Sequence, residues 1–306
     1  MAKNANLHNA KTAKNDEFYT QLTDIEKEMK YYKDFFRGKT VYCNCDDARE
    51  SNFFKYFSMN FEHLGLKKLI CTGYKENGKG VILCYEGDAN GNRKVDDEEI
   101  VVTELEGSGD FRSEECINYL KQADVVVTNP PFSLFREYVK QLMDYGKKFI
   151  IIGNTNVATY KEIFPYIKNN ELWVGVTNYN VGMHFVLPDE YKEYKYIDAN
   201  GKKIGRVSTS CWWTNIENKR RNEKVDLYKK YNPVDYPKYD NYDGIDVGQY
   251  ENIPVDYDGV MGVPITFLGH YNPTQFEIVK FRKGDDNKDL SVNGKCPYFR
   301  LLIKRK

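Results

Sequence analysis

The chain has 306 residues, of which 45 are basic and 45 acidic, so its formal net charge is zero. This length allows one large α/β domain or two small ones, and the neutral total lacks the overall signature of a nucleic-acid-binding protein without excluding a locally basic groove. The seven cysteines include no C-x-x-C pair, which argues against a disulfide framework and against a structural zinc site.

The beginning of the chain has no signal-peptide pattern, and no apolar run reaches the ~18 residues that a membrane-spanning helix needs. We therefore expect a cytoplasmic protein without a membrane partner. Residues 1–15 are polar and include Lys3, Lys11 and Lys14, which predicts a flexible N-terminal arm.

Strand and helix patterns alternate through the first half of the chain. Apolar spacing from Ile25 to Phe36 predicts a helix that ends at Gly38. Further helices are predicted over 53–64, over 114–121 and after Pro131. Apolar and β-branched runs predict strands over 40–45, 68–72, 81–85, 99–103, 123–128 and 148–153. Such alternation indicates an α/β fold with a doubly wound, mostly parallel sheet, and the strands at 81–85 and 99–103 look like a hairpin.

The hairpin loop at 87–97 imitates part of a calcium-binding loop. Asp88, Asn90 and Glu99 have the right spacing, but Arg93 stands where the sharp turn needs glycine. A solvated hairpin turn is the favoured interpretation, and no metal is expected.

The strand at 123–128 ends in Asn129, Pro130, Pro131 and Phe132. The side-chain carbonyl of Asn129 and the main-chain carbonyl of a proline are two acceptors that can hold both hydrogens of an exocyclic amino group. Holding both hydrogens makes the amino nitrogen more nucleophilic, and Phe132 offers a flat face for a planar substrate. The turn thus favours alkylation of a planar amine, while these four residues alone also fit a structural Pro-Pro turn with a core phenylalanine.

Acidic residues follow the strand at 40–45. Because doubly wound sheets bind ligands at the carboxyl ends of their strands, Asp46 and Asp47 lie where a cofactor's hydroxyls or cationic group would be met. The absence of a G-x-G-x-x-G sequence disfavours a dinucleotide.

The composition changes from about residue 173. Strands are predicted over 173–176, 183–187, 210–214, 262–268 and 298–303, with a short helix beginning at Asn272 and Pro273. Residues 217–258 mix tyrosines with a basic run that can hold phosphates, although a solvated surface loop is an equal alternative. The candidate nucleic-acid-binding residues in this run are Lys219, Arg220, Arg221 and Lys224.

Four sequence segments occur in an order that resembles the EcoRI-type adenine-specific DNA methyltransferases of type II restriction-modification systems. They are Asp16–Thr20, Cys45-Asp46-Asp47, Gly109-Asp110-Phe111 and Thr128–Phe132.

The resemblance implies the S-adenosylmethionine-dependent methyltransferase fold, with a seven-stranded sheet whose last strand is antiparallel. It assigns catalysis to Asn129, Pro130, Pro131 and Phe132. It assigns cofactor contacts to Tyr19, Thr20, Asp46, Asp47, Ser51, Phe53, Asp110 and Phe111. Related enzymes carry a glycine-rich signature in the first loop, where this chain has Ala48, Arg49 and Glu50.

The implied activity is methylation of a flipped adenine at N6 in double-stranded DNA, without a metal and without an obligate protein partner. The implied host is a bacterium, or a cell carrying a phage or plasmid. An RNA adenine-N6 or DNA cytosine-N4 methyltransferase is the first alternative, and a catalytically inactive nucleic-acid-binding module is the second.

The sequence divides into an arm at 1–15, a cofactor-binding catalytic core at 16–172, the end of the core sheet with a target-recognition region at 173–262, and C-terminal strands with a short helix at 263–306.

Overall fold

The computed structural model describes residues 19–187 and 191–306, apart from the side chain of Asp46. The predicted arm and Asp16 lie outside the described residues. The chain forms two compact units: the first comprises the described residues up to Val157 together with Gly175–Ile216, and the second comprises Ala158–Val174 together with Glu217–Lys306. None of the helices in the described part of the chain is long and apolar enough to cross a lipid bilayer.

The helices of the first unit are α1 (Leu22–Met29), α2 (Asn52–Met59), α3 (Phe61–Leu64), α4 (Glu114–Gln122) and α5 (Phe135–Asp144), and the second unit contains α6 (Phe164–Lys168). A 3₁₀ segment over Lys30–Phe36 continues α1, and Gly38 follows with a φ of +69°. The predicted end of this first helical stretch is therefore confirmed.

A large sheet and a small sheet lie in the first unit. Strands of the large sheet are β2 (Thr40–Asp46), β3 (Lys68–Gly73), β4 (Val81–Tyr85), β5 (Ile100–Glu104), β6 (Val125–Thr128), β7 (Lys148–Asn154) and β12 (Ser210–Thr214). Strands of the small sheet are β1 (Tyr19–Thr20), β9 (Met183–Val186), β10 (Tyr196–Ile197) and β11 (Lys203–Val207). The second unit contains β8 (Trp173–Val174), β13 (Gly244–Asp246), β14 (Val260–Pro264), β15 (Phe276–Phe281) and β16 (Arg300–Arg305).

Within the first unit, the strands of the large sheet lie in the order β5-β4-β3-β2-β6-β7-β12. The central strands β3, β2, β6 and β7 are parallel to one another. β4 is antiparallel to both β3 and β5, and β12 is antiparallel to β7. The predicted mostly parallel sheet, its antiparallel late strand and the β4–β5 hairpin are thus confirmed. β6 is buried throughout, which explains its continuous apolar run.

Helices cover both faces of this sheet. On one face Phe53 and Phe57 of α2 pack with Val41 and Val125 in the main core. On the other face Tyr42 of β2 lies near Cys116 of α4. Alternation along β2 sends Cys43 to the first face and Asn44 to the second. The fold is therefore doubly wound, as the alternating pattern predicts.

The small sheet is antiparallel, with the order β1-β9-β11-β10. Its inner face contributes Met183, Phe185 and Val207 to the main core. Its outer face carries the directly opposed pair His184 and Arg206.

The hairpin loop between β4 and β5 is held by its own polar groups. Asp88 accepts hydrogen bonds from the backbone N–H groups of Gly91, Asn92 and Arg93. Within the described residues, no group of three or more His, Cys, Asp or Glu side chains is arranged to hold a metal ion.

The second unit corrects two sequence-based expectations. The predicted helix at Asn272 and Pro273 is wrong, because the Asn272 side chain accepts hydrogen bonds from Thr274 N (2.8 Å) and Thr274 Oγ1 (2.7 Å) and forms a turn that leads into β15. The strand predicted over 262–268 ends at Pro264 and becomes a 3₁₀ segment, Ile265–His270. The sheet of this unit has the order β13-β14-β16-β15.

Candidate active site

The Asn-Pro-Pro-Phe turn lies at the carboxyl end of a central strand. β6 runs between the parallel strands β2 and β7, so the turn opens at the middle of the sheet edge. Asn129 is only 8% exposed, and Phe132 is half-buried.

The two prolines of the turn have different hydrogen bonding. The Pro131 carbonyl accepts a hydrogen bond from Leu134 N at 3.0 Å, which starts the 3₁₀ segment Phe132–Leu134. Within the described residues no hydrogen bond reaches the Pro130 carbonyl. The turn therefore keeps one main-chain acceptor beside the Asn129 side chain.

A buried network fixes the strand ends on either side of this turn. Thr128 Oγ1 donates a hydrogen bond to the Asn44 carbonyl, and the Tyr138 hydroxyl of α5 donates one to Asn44 Oδ1. Burial raises the pKa of Tyr138 well above its usual value, so the hydroxyl keeps its proton and remains a donor. Asn44 thus ties β2, β6 and α5 together.

Sequence reasoning missed both Asn44 and Tyr138. The alternation of side chains along β2 could have indicated Asn44, because it places an amide on a buried face of the sheet, where a polar group needs a hydrogen-bond partner.

β2 is irregular at its carboxyl end. Cys45 has a φ of +69°, and the pairing of β2 with β3 shifts register between Cys43 and Asp46. The Asp47 carbonyl accepts from Ser51 N at 2.8 Å, and Asp47 Oδ1 accepts from Arg49 N at 2.9 Å. The Asp47 side chain is exposed at this edge, while that of Asp46 lies outside the described residues.

Ser51 and Phe53 are fully buried. Ser51 Oγ accepts a hydrogen bond from Phe53 N at 3.2 Å and caps α2, and the Phe53 ring meets Trp212 edge-on at 6.2 Å. Their buried side chains thus fix the position at which the loop enters α2.

The start of α2 also holds β1. Asn52 Nδ2 donates a hydrogen bond to the Thr20 carbonyl at 2.7 Å. Thr20 Oγ1 is buried and has no hydrogen-bond partner among the described residues. Tyr19 lies opposite Val186 on the outer face of the small sheet, whereas Thr20 faces inward opposite Phe185.

The segment around Asp110 lies against the carboxyl end of β3. Gly109 has a φ of +83°, and a Cβ there would lie 2.3 Å from the Gly73 carbonyl oxygen, so only glycine fits. Arg112 donates two side-chain hydrogen bonds to Asp110, at 2.9 and 2.6 Å, and this pairing lowers the pKa of the Asp110 carboxyl.

Phe111 connects this segment to the buried network. It is buried edge-on against Tyr138 with ring centroids 5.0 Å apart, and its carbonyl accepts from Gln141 Nε2 at 3.1 Å. The structure therefore brings the ends of β2, β3 and β6 to one edge of the sheet, with Tyr138 in contact with both Phe111 and Asn44.

The predicted basic run lies in the second unit, and its members differ. The Arg221 guanidinium stacks on Trp173 at 3.6 Å, pairs with Glu217 and donates to Asn170 Oδ1 at 3.1 Å, and its side chain is only 9% exposed. Arg220 Nε donates to the Gly269 carbonyl at 3.0 Å. Lys219 and Lys224 are exposed. Arg221 therefore has a packing role, and the two lysines are the most exposed cations of the run.

Comparison with known proteins shows the family to which the chain belongs. Residues 6–306 match the family described as "Adenine-specific methyltransferase EcoRI". The chain is 52% identical to the type II methyltransferase M.EcoRI of Escherichia coli, over 100% of this chain and 99% of that protein. It is 38% identical to the type II methyltransferase M.MgeORF184P of Mycoplasma genitalium and 36% identical to M.MpnI of Mycoplasma pneumoniae, in each case over 98% of both chains. The chain thus belongs to the EcoRI family of adenine-specific methyltransferases.

Proposed function

We propose that this protein transfers a methyl group from S-adenosylmethionine to N6 of an adenine flipped out of duplex DNA, as the modification enzyme of a restriction-modification system. Its place of action would be the cytoplasm of a bacterium, or of a cell carrying a phage or plasmid. The family supports adenine as the target, and the type II methyltransferases among its relatives support DNA as the substrate. The observation that carries the proposal is the pair of acceptors at the end of β6.

The turn performs the activation of the amine. Asn129 Oδ1 and the Pro130 carbonyl accept the two N6 hydrogens, which returns electron density to the nitrogen and makes it nucleophilic. Pro131 fixes the backbone that follows, because its carbonyl is already bonded to Leu134 N. No protein group needs to form a covalent bond, so positioning is the main contribution of the chain.

Phe132 receives the flipped base. Removing an adenine from the duplex costs a few kcal/mol, which stacking and pocket contacts must offset. Phe132 is half-buried beside the turn and packs partly against the main core, so the base would stack on the part of the side chain that stays exposed.

The residues around the turn fit the cofactor. S-adenosylmethionine supplies a positively charged sulfonium with an electrophilic methyl group. The buried Thr20 Oγ1, which has no partner among the described residues, is suited to a polar group of the ligand. Asp47 and Asp110 offer carboxylates at the same sheet edge for hydroxyls or an ammonium group. Ser51, Phe53 and Phe111 are buried and hold the loops in place, while Tyr19 on the outer face is the weakest of the proposed contacts.

The test is transfer from labelled S-adenosylmethionine to duplex DNA by the purified protein. We expect N6-methyladenine, and Asn129→Ala should reduce transfer by roughly a thousandfold while cofactor affinity measured by calorimetry stays within about twofold. Persistent transfer by Asn129→Ala would refute the assigned role.

Controls within the same experiment separate the alternatives. Nucleoside analysis of the product distinguishes N6-methyladenine from N4-methylcytosine, and RNA offered in place of DNA tests the acceptor. Failure of the wild type to bind S-adenosylmethionine would indicate an inactive nucleic-acid-binding module.

A further inference from the structure

The hairpin formed by β10 and β11 carries an excess of positive charge on a neutral protein. Residues 191–207 contain five cations and two carboxylates, a net charge of +3, whereas the whole chain is neutral. The cations are Lys192, Lys195, Lys202, Lys203 and Arg206. One of the two carboxylates, Asp198, binds the backbone N–H groups of Asn200 (2.9 Å) and Lys202 (2.8 Å) and shapes the turn.

Three of the four lysines of this hairpin are exposed and lie near exposed tyrosine rings, whereas Lys203 is half-buried. Lys192, Lys195 and Lys202 face solvent, and within the described residues none of them forms an ion pair. Tyr194 and Tyr196 are 46% and 47% exposed. Lysine and tyrosine side chains in alternation are the groups that bind phosphate oxygens and sugars. We name the exposed side chains of Lys192, Lys195, Tyr196 and Lys202 the hairpin face.

A histidine lies beside the hairpin face. His184 Nε2 is 3.2 Å from Lys195 Nζ, and its ring is 6.1 Å from that of Tyr196. Burial is the main cause that lowers the pKa of His184; the charges of Lys195 and Arg206 lower it further, and the Asp24 carboxylate opposes them.

The small sheet connects the hairpin face to the catalytic edge within one unit. β10 is at one edge of this sheet and β1 at the other, and β1 is held by Asn52 at the start of α2. Three strand spacings of ~4.8 Å place the hairpin about 14 Å from β1. Because a duplex rises ~3.4 Å per base pair, this distance corresponds to about four base pairs.

We infer that the hairpin face binds the sugar–phosphate backbone of the DNA a few base pairs from the methylated adenine. The inference rests on the proposed function and adds to it a DNA contact within the catalytic unit. The inferred contact is to phosphates, so it positions the duplex and does not read its bases.

The test compares two triple variants of the full chain with equal loss of charge. K192Q/K195Q/K202Q removes the hairpin face, and K33Q/K67Q/K79Q removes three exposed lysines elsewhere in the same unit. Binding of a fluorescent duplex is measured over a salt series by anisotropy. We expect the hairpin variant to lose up to about 2.7 from the slope of log affinity against log salt, at ~0.9 per phosphate contact, and to bind roughly ten- to a hundredfold more weakly at 0.15 M salt.

Two further measurements keep the outcome interpretable. K192R/K195R/K202R, which preserves the charge, should bind DNA within about twofold of the wild type. S-adenosylmethionine affinity and the melting temperature should be the same in all variants, which shows that the hairpin variant is folded.

The possible results separate the two proposals. A hairpin variant that matches the wild type, or a control variant that loses as much of the salt slope, overturns the inference while wild-type methylation of DNA leaves the proposed function intact. A wild type that neither binds nor methylates DNA overturns both. Retention of an acidic protein instead of DNA by the hairpin face would also overturn the inference.

Discussion

At the residue scale, Asn44 anchors the end of the strand that leads into the Asn-Pro-Pro-Phe turn. Its carbonyl accepts from Thr128 Oγ1, one residue before Asn129, and its side chain accepts from the Tyr138 hydroxyl. A buried acceptor that loses its donor costs about 1–3 kcal/mol, because no water replaces the lost bond. The position of Asn129 therefore depends on a hydroxyl in α5.

Tyr138→Phe removes that hydroxyl and little else. We expect the free energy of unfolding to fall by about 1–2 kcal/mol and methyl transfer to slow by roughly tenfold, because β2 and β6 lose a common anchor. Urea unfolding and single-turnover kinetics measure the two effects. Tyr145→Phe, at the exposed tyrosine immediately after α5, serves as the control and should change neither quantity.

Asp110 gives the molecule a sensitivity to acid. Its pairing with Arg112 lowers its folded-state pKa below the unfolded value of about 3.9, so the pair stabilises the fold above that pH and is lost as the pH falls through the folded pKa. We expect the free energy of unfolding of the wild type to decline below about pH 4. That of the Asp110→Asn variant should decline less steeply in the same range. Urea titrations from pH 6 to pH 3 test this, with Asp34→Asn as an exposed control. Equal slopes for wild type and Asp110→Asn would contradict the prediction.

The residues proposed for catalysis were the most predictable part of the site, and the residues that support them were the least predictable. Asn129 to Phe132 are contiguous and follow a recognisable strand, and three further segments in the same order as in the family distinguish them from a structural turn. The partnership of Asn44 with Tyr138 spans 94 positions and depends on which face of β2 meets α5. Nothing local in the sequence encodes that pairing, because it arises from tertiary packing.

At the element scale, α1 fastens the segment that follows Gly175 through one buried carboxylate. Glu28 accepts hydrogen bonds from Tyr32 Oη (2.9 Å), Val176 N (2.8 Å), Thr177 N (2.7 Å) and Thr177 Oγ1 (2.5 Å). A Cβ on Gly175 would lie 2.4 Å from Glu28 Oε1, so the backbone approaches the carboxylate as closely as glycine permits. Because donors reach both side-chain oxygens, both terminal atoms at this position must be hydrogen-bond acceptors.

Glu28→Gln replaces one acceptor with a donor. The amide N–H₂ would face Thr177 N–H, and we expect a loss of about 2–4 kcal/mol in the free energy of unfolding. Thermal unfolding of this variant should be compared with that of Glu26→Gln, an exposed change on the same helix. If the two variants melt together, Glu28 has no anchoring role.

The elements that sequence patterns predicted well are the long ones. Buried strands such as β7 show a continuous apolar run, whereas β1 and β10 have two residues each and no readable period. β15 was missed because Asn272 and Pro273 resemble the start of a helix, although the asparagine side chain closes a turn instead.

At the scale of the whole molecule, the candidate cofactor and catalytic residues lie in the first unit and the basic run lies in the second. If the first unit binds S-adenosylmethionine and the basic run binds DNA, charge changes in the second unit should weaken DNA binding and leave the affinity for S-adenosylmethionine unchanged.

Lys219→Gln combined with Lys224→Gln tests this separation. We expect the salt slope of DNA binding to fall by up to about 1.8 while S-adenosylmethionine affinity stays unchanged. The control is K288Q/K295Q, which removes two exposed lysines of the same unit. An equal loss in the control would show that the effect is one of total charge. Arg221→Gln should instead lower the melting temperature, because it removes the stacking on Trp173.

Cys45, the penultimate residue of β2, has a left-handed backbone just before the glycine-poor loop. A residue with a side chain in that region costs about 1–2 kcal/mol relative to the right-handed form, but it has far fewer conformations to lose than glycine does when the chain orders. A glycine at this position would allow a closer approach of the backbone but would lose more conformational freedom when the chain folds, whereas cysteine limits that freedom at the cost of backbone strain.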